Sequence, residues 1–278
     1  MASPVFVIAQ QRSGTNLLRR GLASTPWFVD RDEIFHSDPV IGSFWTHRAL
    51  MIAKDPTLSI PHIDHQNHIL DSYLETFSSK GDKFTLFDVK YNSLHSMNPI
   101  WQNHGLRPHL ITYLAQKRIP VIHLIRKDSL AAYISTVISN DTKMYVTRFD
   151  TVSEGKKWSV NPLQLIRYLR ELKFDIQRTQ NWLNLSVNIK WTELTFESLL
   201  NDQGNFSRQI LGPLEELLKI PEPLEPRVMT KKIINRPYWE LIDNFESEVI
   251  PALREKGYEE YIPDAFRAKN DAAQKEAA

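Results

Sequence analysis

A chain of 278 residues with 42% hydrophobic content is long enough to enclose a substantial core in one large α/β domain. Its formal net charge of +1 creates no global field for nucleic acid or a membrane surface, so an anion site must come from local placement of Arg and Lys. The absence of cysteine excludes disulfides, thiolate metal sites and a cysteine nucleophile, and no apolar run approaches the length of a membrane span. No charged segment followed by an apolar one opens the sequence, so a cytoplasmic location is expected.

Residues 5–9 are a short apolar run that reads as a buried strand. A polar turn follows, Gln11-Arg12-Ser13-Gly14-Thr15, and from Asn16 and Leu17 the spacing suits a helix. Strand, tight turn and helix make a P-loop-like anion cradle, because the first turn of a helix has free N–H groups and a positive dipole end. Gly14 lets the backbone approach an oxyanion, Ser13 and Thr15 offer hydroxyls, and Arg12 brings a fixed charge. The Walker A spacing and the three-glycine dinucleotide fingerprint are both missing.

Glu33 and His36 come next, on a second short strand or its loop. The carboxyl ends of strands line the crevice of an open α/β sheet, yet from pattern alone Asp30-Arg31-Asp32-Glu33 reads first as a charged surface. Short helices are expected near residues 44–52 and 65–76. His62, His65 and His68 match no standard zinc spacing, so no metal site is expected. Residues 84–90 read as a strand that delivers Asp88 and Lys90 to the crevice, and 106–118 as a helix.

Residues 119–125 give the clearest strand, followed at once by Arg126-Lys127-Asp128 and by Ser129 as the N-cap of a helix over 130–139. His123 inside that run reads as a packed core histidine. Residues 140–160 read as a long loop able to order over a ligand. A long amphipathic helix over 161–182, a strand over 187–191, and a short helix after residues 191–195 follow. Another helix covers 206–219, three prolines make an extended connector, Lys231 and Lys232 form a basic segment, and a last helix spans 238–256. One domain over 1–264 is expected, with three layers around a central, mostly parallel sheet, and a disordered tail over 265–278.

Four stretches taken together resemble the sulfotransferases that use 3′-phosphoadenosine 5′-phosphosulfate (PAPS), and most of all the bacterial trehalose sulfotransferase-like group with Arg-Ser-Gly-Thr openings. They are Gln11 to Leu17, His123 to Ser135, Trp191 to Thr195 and Asn235 to Glu246. The resemblance implies that Arg12, Ser13, Gly14, Thr15, Asn16 and Leu17 form the 5′-phosphosulfate loop. It implies that Arg126 or Lys127, with Ser135, meets the 3′-phosphate, and that Lys231 or Lys232 closes over the nucleotide. A Glu before an aromatic is the base in the trehalose-type enzymes, and Glu33-Ile34-Phe35 is similar to that segment, with His36 as reserve. Arg12 then joins Glu33 and His36 as a catalytic candidate. The implied reaction is metal-independent sulfuryl transfer from PAPS to a hydroxyl or amine of a carbohydrate or other small molecule. The alternative is a P-loop-like nucleotide kinase or hydrolase, which would require ATP and Mg²⁺.

Overall fold

Strands that are apolar on both faces belong in the middle of a parallel sheet, where helices cover both sides. The computed structural model, which describes residues 3–36, 42–79, 81, 83–98, 106–142, 156–229 and 237–267, follows that rule. β1 (Ser3–Ala9), β3 (Phe84–Lys90) and β4 (Val121–Ile125) are the interior strands, while β2 (Phe28–Glu33) and β5 (Trp191–Thr195), both rich in polar residues, form the edges. The order is β2-β3-β1-β4-β5 and every pairing is parallel. This is an α/β fold with a parallel sheet.

Alternation along β1 decides the two faces. Val5, Val7 and Ala9 pack with Leu18 and Leu22 of α1 (Thr15–Ala23) and with Ile210 and Leu214 of α7 (Arg208–Leu218). Phe6 faces the other way against Phe87, which in turn meets Tyr73 of α3 (Ile63–Phe77). α2 (Phe44–Lys54) precedes α3, and α4 (His109–Lys117) leads into β4.

The chain divides into two compact units, each made of two segments. Met1–Lys127 with Asp175–Thr230 carries the whole sheet. Asp128–Phe174 with Lys231–Ala278 holds α5 (Ser129–Thr142), the start of α6 (Pro162–Asn184) and α8 (Ile250–Glu255), around a core that includes Leu130, Leu165, Phe245 and Leu253. Asp264 to Arg267 form a helical turn, and the remainder of the tail lies outside the described residues.

Two expected elements differ. The strand expected over 187–191 begins only at Trp191, which pairs with Val121, while Val187 is 94% exposed in a turn. The helix expected over 238–256 is broken into a 3-10 turn (Tyr238–Leu241), a π turn (Phe245–Val249) and α8. The break has a polar cause. Asn244 accepts from Val160 N at 3.0 Å and donates to Val160 O at 2.8 Å, and Asp243 N donates to Trp158 O at 3.0 Å. Backbone tied sideways in this way cannot continue a helix.

Candidate active site

β1 lies between β3 and β4, and the chain builds β2 and β3 on one side before crossing to β4 on the other. The carboxyl end of β1 is therefore a topological switch point, where open α/β sheets form their ligand crevice. The turn from β1 into α1 occupies it. Gly14 is the N-cap of α1 with φ 83°, and an added Cβ would stand 2.3 Å from Phe196 Cδ2, so both backbone and space demand glycine. The first ladder bond of α1 is Leu18 N to Gly14 O at 3.1 Å. The N–H groups of Thr15, Asn16 and Leu17 precede that ladder, and Gly14 has no side chain with which to cap them. They supply anion donors at a positive dipole end.

The turn is braced from several sides. Ser13, buried, donates its hydroxyl to Gln10 O at 2.6 Å, so that hydroxyl holds the turn together and leaves the backbone as its ligand-facing part. Arg12 adopts φ 65°, a left-handed conformation uncommon outside glycine. Its carbonyl accepts from Arg126 Nη1 at 3.0 Å. Arg126, one residue past β4, also lays its guanidinium over the ring of Phe196, 4.6 Å from the centroid. Phe196 thus supports both Gly14 and Arg126 from the 3-10 turn Phe196–Ser198. Lys127 is exposed, and its N–H donates to Glu197 Oε2 at 3.1 Å. Ser135 lies half-buried on α5, in the other unit. Lys231 and Lys232 lie outside the described residues, as do Asn235 and Arg236 of the closing motif.

β3 brings a second cation to the cradle. Lys90 Nζ donates to Thr15 Oγ1 at 2.7 Å and sits 2.7 and 3.0 Å from the two oxygens of Asp88. Asp88 also faces Arg19 Nε at 3.2 Å, and Arg19 meets Asp30 and Asp32 of β2 as well. Glu33, at the end of β2, pairs in register with Asp88 and is half-buried. Burial raises its carboxyl above the ordinary 4.5, and the nearby Asp88 carboxylate adds to this; Lys90, His36 and Arg19 oppose it without cancelling it. A carboxylate tuned upward beside a cationic cradle suits a general base. His36 is exposed, three residues beyond Glu33.

The structure thus gathers Arg12 to Leu17, Glu33 and Arg126 at one end of one sheet. Sequence reasoning brought Asp88 and Lys90 to the crevice but gave them no role, and it missed Arg19 and Phe196. The alternation Asp88-Val89-Lys90 at the end of a buried strand was the available signal for the first pair. Nothing local marks Phe196, whose role depends on β5 lying two strands from β1.

Among the described residues no three His, Asp or Glu side chains come together to hold a metal ion, and no helix is long and apolar enough to cross a membrane. No protein-family model and no curated protein matches the chain. Among solved structures it is similar to a sulfotransferase from Alicyclobacillus acidocaldarius, at 13% identity and TM-score 0.47, over 96% of this chain and 100% of that one.

Proposed function

We propose that this protein is a sulfotransferase that moves the sulfuryl group of PAPS to a hydroxyl or amine of a carbohydrate or other small molecule. One observation carries the reading: a glycine-capped helix N-terminus, flanked by Lys90 on Thr15 and Arg126 on the carbonyl of Arg12, stands at the same carboxyl end of the sheet as the half-buried carboxylate of Glu33. PAPS, when bound, supplies a sulfuryl group on a phosphate leaving group. The N–H groups of residues 13–17, with Arg12 and Lys90, bind the 5′-phosphosulfate and stabilise charge growing on the departing oxygen. Glu33 accepts the acceptor's proton while the acceptor's oxygen or nitrogen forms its bond to sulfur and the bond from sulfur to the bridging oxygen breaks. Arg126 is the better candidate for the 3′-phosphate than Lys127, because it is fixed by a hydrogen bond and a ring contact while Lys127 is exposed. The roles of Ser135, Lys231 and Lys232 rest on the motifs alone. A sulfuryl group carries less charge than a phosphoryl group, so the reading requires no metal ion.

Calorimetry with adenosine 3′,5′-bisphosphate (PAP) against ATP tests the donor. PAP is expected to bind without Mg²⁺ and ATP much more weakly; tight, Mg²⁺-dependent binding of ATP would favour a nucleotide kinase or hydrolase instead. Arg12→Asn keeps a residue that tolerates left-handed backbone, so it isolates the loss of charge. It should slow consumption of labelled PAPS by roughly two orders of magnitude, by analogy with loss of one preorganised oxyanion donor. A near-normal rate would sink the assignment of Arg12.

A further inference from the structure

β2 has one residue too many for its pairing. Asp30 pairs with Leu86 and Glu33 with Asp88, so Arg31 and Asp32 together stand opposite Phe87 alone. This is a β-bulge, uncommon between parallel strands and frequent at sheet edges beside active sites. Its effect follows from the two-residue period of strands. Phe28 and Leu86 belong to the face packed by α1, and Asp30 and Asp88 share that parity. In an unbulged strand Asp32 would fall opposite Asp88, and Glu33 opposite Val89 on the other face. The bulge is what turns Glu33 to the side of Thr15, Asp88 and Lys90.

One guanidinium pins it. Arg19, 1% exposed, bonds Asp30 just before the bulge and Asp32 Oδ1 at 2.7 Å within it. Asp32 has φ 62°; its N–H donates to Asp30 Oδ1 at 2.9 Å, and its Oδ1 accepts from Glu33 N at 3.1 Å. The same Arg19 reaches Asn16 Oδ1 at 2.6 Å in the first turn of α1, and Asp88, which holds Lys90 against Thr15. We infer that Arg19 and Asp32 are positioning residues. They hold the bulge that aims Glu33 at the cradle, and they tie that aim to the helix end that receives the sulfuryl donor. The inference rests on Glu33 being the base.

Arg19→Gln would strand buried carboxylates and can unfold the chain, so Asp32, 72% exposed, is the better probe. Asp32→Asn tolerates left-handed backbone and keeps an acceptor; Asp32→Val does neither. Both should bind PAP within about twofold of wild type. With water as acceptor, PAPS and water yield PAP, sulfate and two protons, so turnover can be read without knowing the natural acceptor. Asp32→Val should slow this about as much as Glu33→Gln, on the order of 10²-fold, with Asp32→Asn near wild type. The double variant Asp32→Val/Glu33→Gln should be no slower than Glu33→Gln, because the two changes remove one function. Additive slowing, or full turnover in Asp32→Val, overturns the inference. If Glu33→Gln alone leaves turnover unchanged, the base reading fails, and a second measurement judges the bulge. The chain has no cysteine, so Glu33→Cys introduces a single thiol. PAP, or inorganic sulfate should PAP not bind, is expected to protect that thiol from iodoacetamide, and Asp32→Val but not Asp32→Asn should abolish the protection. Equal protection in both backgrounds, or none in the parent, overturns it.

Discussion

Two polar clusters are buried on opposite faces of the same sheet, and they are built on different principles. On the α1 face, Arg19 and Lys90 are set among Asp30, Asp32 and Asp88, with Glu33 at the margin. On the other face, His123 of β4 lies between Tyr91 and Glu193: its Nε2 is 2.7 Å from the Tyr91 hydroxyl and its Nδ1 is 3.3 Å from Glu193 Oε2, which also accepts from Gln180 at 2.7 Å. The first cluster is dense in formal charge and ends on the cradle through Thr15. The second joins Tyr91 to His123 by a hydrogen bond, sets the other ring nitrogen against the Glu193 carboxylate, and reaches no cradle residue among these contacts. Buried ion pairs are poor value as stabilisers, because desolvation offsets much of their attraction. A fold that needed only cohesion is served by the second kind; the first is what a site needs when charged groups must be held in fixed places.

The largest test of the difference is Asp88→Ala. Asp88 is the shared partner of Arg19 and Lys90, so its removal leaves two buried cations undercompensated. The loss should be about 3–5 kcal/mol, read as a lower urea midpoint with unchanged slope. A loss no larger than that of a neutral hydrogen bond would mean that the cluster is less tightly coupled than its geometry implies.

Next in size is the pH behaviour of Glu33, whose carboxyl is raised by burial. A raised folded value contributes stability below the ordinary 4.5, and this is lost as pH rises through the folded value. Glu33→Gln should therefore be more stable than wild type at neutral pH, with the gap closing as the pH falls through the folded value and gone below 4.5. On the proposed role of Glu33 as base, activity runs the other way, since a base works only when ionised. Turnover should fall about tenfold per pH unit below the folded value, and Glu33→Gln should lack that limb. Gain of stability with loss of rate in one variant is the mark of a group placed for function. Loss of both would place Glu33 with the structural residues instead.

These roles were unevenly legible in the sequence. The apolar runs at β1, β3 and β4 identify the interior of a parallel sheet because strands covered on both faces must be apolar throughout. Edge strands carry no such mark. The sequence pattern over residues 187–191 sets β5 several residues early, and β2, with Asp30, Arg31, Asp32 and Glu33, reads first as a solvated surface. The cradle was legible because strand, turn and helix are contiguous. The network behind it was not, since Arg19, Asp32 and Asp88 meet only through the order β2-β3-β1. A bulge that reverses the facing of Glu33 cannot be seen in alternation, because it is a break in alternation.

The smallest effect belongs to the His123 cluster, because Tyr91, the group altered, carries no charge. Tyr91→Phe removes one hydroxyl from the His123 ring and leaves the packing of the aromatic body in place. About 1–2 kcal/mol should be lost, the cost of a buried imidazole nitrogen left without its partner. Burial pushes the Tyr91 phenol up, so it stays protonated across the neutral range. The neighbouring His123 ring is the largest influence on Glu193, holding its carboxyl below the ordinary 4.5; that contribution is complete above 4.5 and is lost as pH falls through the folded value. The difference between wild type and Tyr91→Phe is read by urea titration at one neutral pH. A loss as large as that expected for Asp88→Ala would mean that the His123 cluster is as tightly coupled as the Arg19–Lys90 one, and the contrast between a cluster that serves the cradle and one that serves the fold would no longer hold.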